Sequence, residues 1–193
     1  MPLRSHGARR SAALALVCTL VLAACATVAP RIANVPVLHD AAFAIDGRLS
    51  ARRAGDAVSA SFEWRHAPPR DELTLSTPLG QVVAQLSGDA AAHVARVRLG
   101  DGRTLEAPDW PSLTQRALGF PLPVEGLSAW IRAGAHEGTP YRAEVDAQGR
   151  ATVLRQDGWE LVYDYPDERA KRPSRIRMTF PDVEVRIAID RFD

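Results

Sequence analysis

The sequence predicts a mainly β protein: a single antiparallel sheet, strongly curved or barrel-like, interrupted by two short helices from the middle of the chain. Three observations predict it. From about Phe43 the apolar residues recur mostly at every second position. Turn residues such as Ala54-Gly55-Asp56, Gly100-Asp101-Gly102 and Asp157-Gly158 break these runs at short intervals. Only one stretch, from Asp109 to Gly134, shifts to helical spacing.

Each element follows from its pattern. Phe43, Ile45, Leu49 and Ala51 alternate with polar or small residues. After Ala54-Gly55-Asp56, Val58, Ala60, Phe62 and Trp64 alternate with Ser59, Ser61, Glu63 and Arg65, which makes a hairpin with one apolar face. Leu73 and Leu75, then Val82, Ala84 and Leu86, form a second pair through Thr77-Pro78-Leu79-Gly80. Ala95, Val97 and Leu99 give another strand, and His93 is read onto its start. Asp109 before Trp110-Pro111 suits an N-cap with proline early in a helix, and Gly119 suits its end. Leu127, Trp130 and Ile131 carry the second helix. Strands resume from Tyr141. Trp159, Leu161, Tyr163 and Tyr165 share one face; Ile176, Met178 and Phe180, then Val183, Val185, Ile187 and Ile189, repeat the pattern. About ten strands with one apolar face need a cover, and two short helices are small for it. A closed core and a half-open apolar cavity both fit the periodicity.

The first 24 of the 193 residues read as an export signal. Arg4, His6, Arg9 and Arg10 form a basic n-region before an apolar run from Ala12 to Ala24. That run is about 13 residues, against the roughly 20 a spanning helix needs. It ends Leu22-Ala23-Ala24-Cys25, which matches the bacterial lipobox. The match implies cleavage before Cys25, diacylglycerol on its sulfur and a further acyl chain on its new amino group. Cys18 leaves with the signal, so no internal disulfide can form in the mature chain. Ala26, in place of an aspartate, implies passage to the outer membrane under the sorting rule of many Gram-negative bacteria. Residues 25–40 then serve as anchor and tether, with Pro30 and Pro36, and residues 41–193 form the domain.

Charge and motifs exclude other classes. The signal holds three arginines and no acid, so the net charge moves from +1 to −2 on its removal. Such a chain offers no electrostatic reason to bind nucleic acid. His6, His39, His66, His93 and His136 stand at no metal-ligand spacing, and no GxSxG, P-loop or GxGxxG occurs. The pairs Asp71-Glu72 and Asp167-Glu168 read as solvated turn residues. The expectation is a protein that is not an enzyme and needs no cofactor or metal.

Six motifs in order complete the reading: Gly47-Arg48-Leu49, Phe62-Glu63-Trp64, Ser76-Thr77-Pro78-Leu79-Gly80, Leu118-Gly119-Phe120-Pro121-Leu122-Pro123, Leu127-Ser128-Ala129-Trp130-Ile131 and Gly158-Trp159-Glu160-Leu161-Val162-Tyr163. Behind a lipobox, this set resembles the LolB family of outer-membrane lipoprotein receptors over roughly residues 43–192. The resemblance implies an unclosed antiparallel β-barrel, a half-barrel, with short helices covering an apolar cavity. It implies a monomer on the outer membrane, lipid-anchored and facing the periplasm. Its partners would be the periplasmic carrier LolA, acylated lipoprotein cargo and the inner leaflet of the outer membrane. The transfer would need no ATP, since no nucleotide site appears. Three acyl chains of about 15 methylenes each would cost more than roughly 30 kcal/mol to expose to water, so they must pass from one apolar cavity to another.

Two sets of residues carry that function. The resemblance places Pro78, Leu79 and Gly80 in a loop that projects to the membrane, with Leu79 aiding delivery into the bilayer. The residues agree, because a large apolar side chain at a turn needs a reason. The acyl-cavity candidates are the apolar-face residues Leu49, Phe62, Trp64, Leu75, Val83, Leu127, Trp130, Ile131, Leu161 and Tyr163. Plain core packing would account for most of them equally well, and Val83 lies out of phase with Val82, Ala84 and Leu86. Alternatives of a different kind are a lipid- or glycolipid-binding lipoprotein with another cargo, and an assembly lipoprotein with a packed core.

Overall fold

The computed structural model describes residues 31–193; Cys25 and the expected signal segment lie outside them. Twelve strands form one sheet. They are β1 (Arg31–Ile32), β2 (Phe43–Arg53), β3 (Asp56–Ala67), β4 (Arg70–Ser76), β5 (Val82–Asp89), β6 (Val94–Leu99), β7 (Thr104–Ala107), β8 (Tyr141–Val145), β9 (Ala151–Gln156), β10 (Trp159–Asp164), β11 (Arg175–Phe180) and β12 (Val183–Phe192). Their spatial order is β1-β8-β9-β10-β11-β12-β2-β3-β4-β5-β6-β7, and every described pairing within it is antiparallel.

That order explains why the barrel stays open. The chain meanders from β2 out to one edge at β7. It then crosses to the opposite edge, enters at β8 and meanders back until β12 pairs with β2. β7 and β1 are the two edges and do not pair with each other. The crossover holds both helices, α1 (Trp110–Leu118) and α2 (Val124–Trp130). A connection between the two edges of a curved sheet has to span its mouth, so the helices cover the apolar face.

The local reasons are visible. The Asp109 carboxylate accepts from the Ser112 backbone N–H at 2.7 Å, Pro111 sits in the first turn of α1, and Gly119 ends it with φ +81°. Trp110 packs where β5 has no side chain: a Cβ on Gly88 would meet its ring at 2.6 Å. On β2, a Cβ on Gly47 would meet the Ala188 carbonyl oxygen at 2.1 Å, so this close approach of strands requires glycine. Trp130, Trp159, Leu113, Leu154, Leu161, Ile176 and Met178 are fully buried and fill the space between sheet and helices.

Some expectations need correction. The strands number twelve, because β1 and β7, with two and four residues, are too short to show a period. Asp71 and Glu72 lie within β4 rather than in a turn, and Asp71 is buried. His93 is not on a strand: it stands in the β5–β6 turn with φ +51°. Residues 33–38 pack on the domain. Leu38 N–H donates to the Ala135 carbonyl, Ala135 N–H donates to the Pro36 carbonyl, and Val35 is buried.

Candidate functional site

The inward residues of β2, β3, β4, β11 and β12 face the crossover. Where they meet it, a void of about 80 Å³ remains. Ile45, Leu49, Phe62, Trp64, Leu73, Met178, Val185 and Ile187 line it from the sheet. Leu122, Leu127 and Ile131 close it from above. All eleven are apolar.

The covering segment is attached on one side by a polar knot. Gln156, at the end of β9, is buried. Its Oε1 accepts from Trp130 Nε1 at 2.9 Å and from His136 N–H at 3.1 Å. Its Nε2 donates to the His136 carbonyl at 2.9 Å and to the Thr139 carbonyl at 3.1 Å. A second knot joins the segment before β2 to β3, β4 and α2. His66 Nδ1 lies 2.7 Å from Asp71 and Nε2 lies against Asp40. Trp64 Nε1 donates to the same Asp71 oxygen at 2.8 Å, and Ser128 Oγ donates to Asp40 at 3.3 Å. Burial opposes the charged form of His66, but the bonds and charges of Asp71 and Asp40 outweigh it and raise its pKa. The Ser128 hydroxyl bonds Asp40 and not the imidazole, so the cluster does not have the arrangement of a nucleophile with its base. Among the described residues no cluster of three or more metal-ligating side chains occurs.

Pro78, Leu79 and Gly80 form the loop of the β4–β5 hairpin. Thr77 N–H donates to the Gln81 carbonyl at 2.8 Å, Gly80 N–H donates to the Thr77 carbonyl at 2.9 Å, and Gly80 takes φ +83°. This is a three-residue loop that needs glycine at its left-handed position. Leu79 at its tip is 96% exposed.

Of the ten cavity candidates, Leu49, Phe62, Trp64, Leu127 and Ile131 line the void. Leu75 is half-buried and outside it. Trp130, Leu161 and Tyr163 are core residues outside it, and the Tyr163 hydroxyl is buried with no hydrogen-bond partner among the described residues. Burial pushes the Tyr163 pKa up. Val83 does not face inward. Leu75 pairs with Ala84 and Ser76 with Val82, so Val83 is the extra residue of a bulge and is 39% exposed. The sequence reading missed Ile45, Leu73, Leu122, Met178, Val185 and Ile187 as lining residues. All but Leu122 share the inward phase of their strands, but which part of a phase lies under the crossover is not a local property.

The family model for outer membrane lipoprotein LolB matches residues 41–192. The chain belongs to the LolB family. It is 37% identical to the outer-membrane lipoprotein LolB of Azoarcus sp. (strain BH72) over 186 residues, covering 94% of each chain. It is also 37% identical to that of Chromobacterium violaceum over 183 residues, covering 91% of this chain and 95% of the relative. Among solved structures, a LolA superfamily protein from Nitrosomonas europaea is similar at a TM-score of 0.49 and 9% identity, covering 81% of this chain and 87% of the other. In this LolB-family chain the motifs quoted above fall on the void wall (Phe62, Trp64, Leu122, Leu127, Ile131), on the buried core (Trp130, Trp159, Leu161, Tyr163) and on the exposed hairpin tip.

Proposed function

We propose that this LolB-family chain is an outer-membrane lipoprotein receptor. It takes triacylated lipoproteins from the LolA carrier and inserts them into the inner leaflet of the outer membrane without ATP. Residues 1–24 are its signal, acylated Cys25 its anchor, and residues 25–40 join that anchor to the domain, with 33–38 packed on it; the domain faces the periplasm as a monomer. The observation that carries the reading is the wholly apolar void between an unclosed sheet and its helical cover. Family membership supports a lipoprotein as the cargo of that void.

The void is small for a cargo. At about 80 Å³ it is smaller than the roughly 150 Å³ cavity that admits one benzene. An acyl chain therefore enters only by displacing side chains. The sheet wall is held by its ladders, so the residues that move are those of the cover, Leu122 and Leu127 ahead of Ile131. Leu49, Phe62 and Trp64 are then chain contacts on the fixed wall, while Leu161 and Tyr163 on β10 and Trp130 on α2 pack the core outside the void. Because the filled void is apolar and has no charged group to hold cargo, release needs only a better apolar phase. The bilayer supplies that phase, and Leu79, flanked by Pro78 and Gly80, opens the way into it.

The test uses the lipidated chain in vesicles, mixed with a carrier–lipoprotein complex and no nucleotide. Lipoprotein should move to the chain and then into the bilayer. Leu79→Glu should accept cargo normally and fail to insert it; normal insertion by that variant would remove the loop from the mechanism. Cys25→Ala, exported through an ordinary signal, should still accept cargo. Loss of acceptance by a folded Cys25→Ala protein would make the anchor part of the handover.

A further inference from the structure

The outward phase of the sheet carries a feature that the apolar void does not use. β11, β12 and β2 present Arg175, Arg177, Arg186 and Arg48 on neighbouring strands. Arg177 stands directly opposite Arg186, and Arg175 and Arg48 flank Ala188 from either side. Together they rim a concavity of about 550 Å³ floored by small residues, among them Ser50, Ser59 and Ala188. Like charges directly opposite on a sheet destabilise it. Carboxylates relieve part of this: Arg48 bonds Asp190 at 2.9 Å and Arg186 bonds Glu184 at 2.8 Å. Arg175 and Arg177 form no ion pair among the described residues. Asp164, the acid in the same wall, pairs with Arg175 in register but forms no salt bridge with it.

The position of this concavity gives it a partner. Pro78 forms part of its wall, so the hairpin that carries Leu79 borders the same hollow as the arginines. Val82 and Val83 follow the loop and are also exposed, at 42% and 39%. An apolar tip beside an arginine-lined hollow has the layering of a bilayer surface: hydrocarbon at the tip, phosphate one step back. The guanidinium fork binds two phosphate oxygens at once, and serine hydroxyls donate to a third.

We propose that this cradle receives the phosphate of a phospholipid headgroup in the leaflet that Leu79 enters. The inference rests on the reading of Leu79 as a membrane residue. It adds that docking is electrostatic as well as apolar, and that it orients the outer face of β11, β12 and β2 toward the bilayer.

The experiment uses the lipidated chain in vesicles, with an environment-sensitive dye on Gln81→Cys. The side chain of Gln81 is exposed, and the loop bonds at this position are made by its backbone. Vesicles contain phosphatidylethanolamine with or without phosphatidylglycerol, plus a headgroup-linked quencher. The docked-to-undocked ratio should rise with phosphatidylglycerol and fall with salt. In the double variant Arg175→Gln/Arg177→Gln it should fall about thirtyfold, at roughly 1 kcal/mol for each cation near an anionic surface. Its salt dependence should weaken and acceptance from the carrier should be unchanged. Wild-type quenching in that double variant, while Leu79→Glu abolishes quenching, would overturn the cradle and leave the loop. Unchanged quenching in Leu79→Glu itself would overturn the loop reading instead. Lost acceptance with intact quenching would assign the arginines to an acidic protein partner and also overturn the proposal. Both arginines are exposed, so thermal unfolding of the double variant serves as the folding control.

Discussion

Replacing Gln156 with leucine should detach the covering segment from the sheet at the cost of much of the domain's stability. Leucine is close in size, so the change removes hydrogen bonds without opening a large cavity. It leaves the indole N–H of Trp130, a residue with 0% exposure, without an acceptor, together with the His136 N–H. The carbonyls of His136 and Thr139 lose their donor. An unpaired buried polar group costs about 1–3 kcal/mol, and the added apolar burial returns about 1 kcal/mol. With two donors stranded, the net loss is about 3 kcal/mol. For a domain of this size each kcal/mol moves the melting temperature by about 2–4 °C, so Gln156→Leu should melt about 6–12 °C lower. Circular dichroism on heating reads this directly. The cause can be isolated with Trp130→Phe, which removes the main stranded donor. In the double variant the losses should be smaller than the sum of the single ones, since deleting both partners costs less than orphaning one. A melting temperature within about 2 °C of wild type, or strictly additive losses, would refute the argument that this amide is what fixes the cover.

The remaining predictions concern two other polar groups. His66 has a folded pKa above its ordinary value of 6.5, so its contribution to stability is complete below that value and is lost as pH rises through the raised one. Urea midpoints of the wild type should therefore decline over that window, and His66→Gln should flatten the decline; an identical slope in the variant would disconnect His66 from it. Tyr163 carries a buried hydroxyl without a partner among the described residues, so Tyr163→Phe should raise stability by about 1 kcal/mol in urea unfolding. A loss of stability would mean that the hydroxyl has a partner inside the domain.

Much of this architecture is local chemistry and can be read along the chain. The alternation from Phe43 to Trp64 gives β2 and β3, and Asp109, Pro111 and Gly119 bracket α1. An exposed leucine between Pro78 and Gly80 is legible for the same reason: the loop fixes the backbone, and no sheet neighbour covers its tip. The parts that resist such reading depend on distant pairings. Val83 breaks phase because Ser76 takes Val82 as its partner, a fact about β4 that nothing in β5 announces. Asp71 looks like half of a solvated acidic pair until β3 brings His66 and Trp64 beside it. Gln156 stands at the end of an ordinary strand pattern, and its importance comes from Trp130 and His136, 26 and 20 residues away.

The cover is held unequally, and the difference falls along the void. At the far end of α2, Trp130 and His136 are tied to Gln156, Arg132 donates to the His39 carbonyl and Ala135 exchanges backbone bonds with Pro36 and Leu38. That end is thus sewn to β9 and to the segment that leads back toward Cys25. At the near end, Pro121 and Pro123 have no N–H to give, the N-cap of α2 makes no side-chain bond, and the Leu122 N–H donates to Thr114 Oγ1. Leu122 and Leu127 line the void on this loosely held side, and Ile131 lines it next to the fixed side. Lifting Leu122 breaks one hydrogen bond, worth about 1 kcal/mol net. Lifting Ile131 would strand the buried partners of Gln156 as well, for several times that cost. A cover held this way costs least to open at the Leu122 end, with the sheet, the tryptophan core and the strap from the anchor side staying in place.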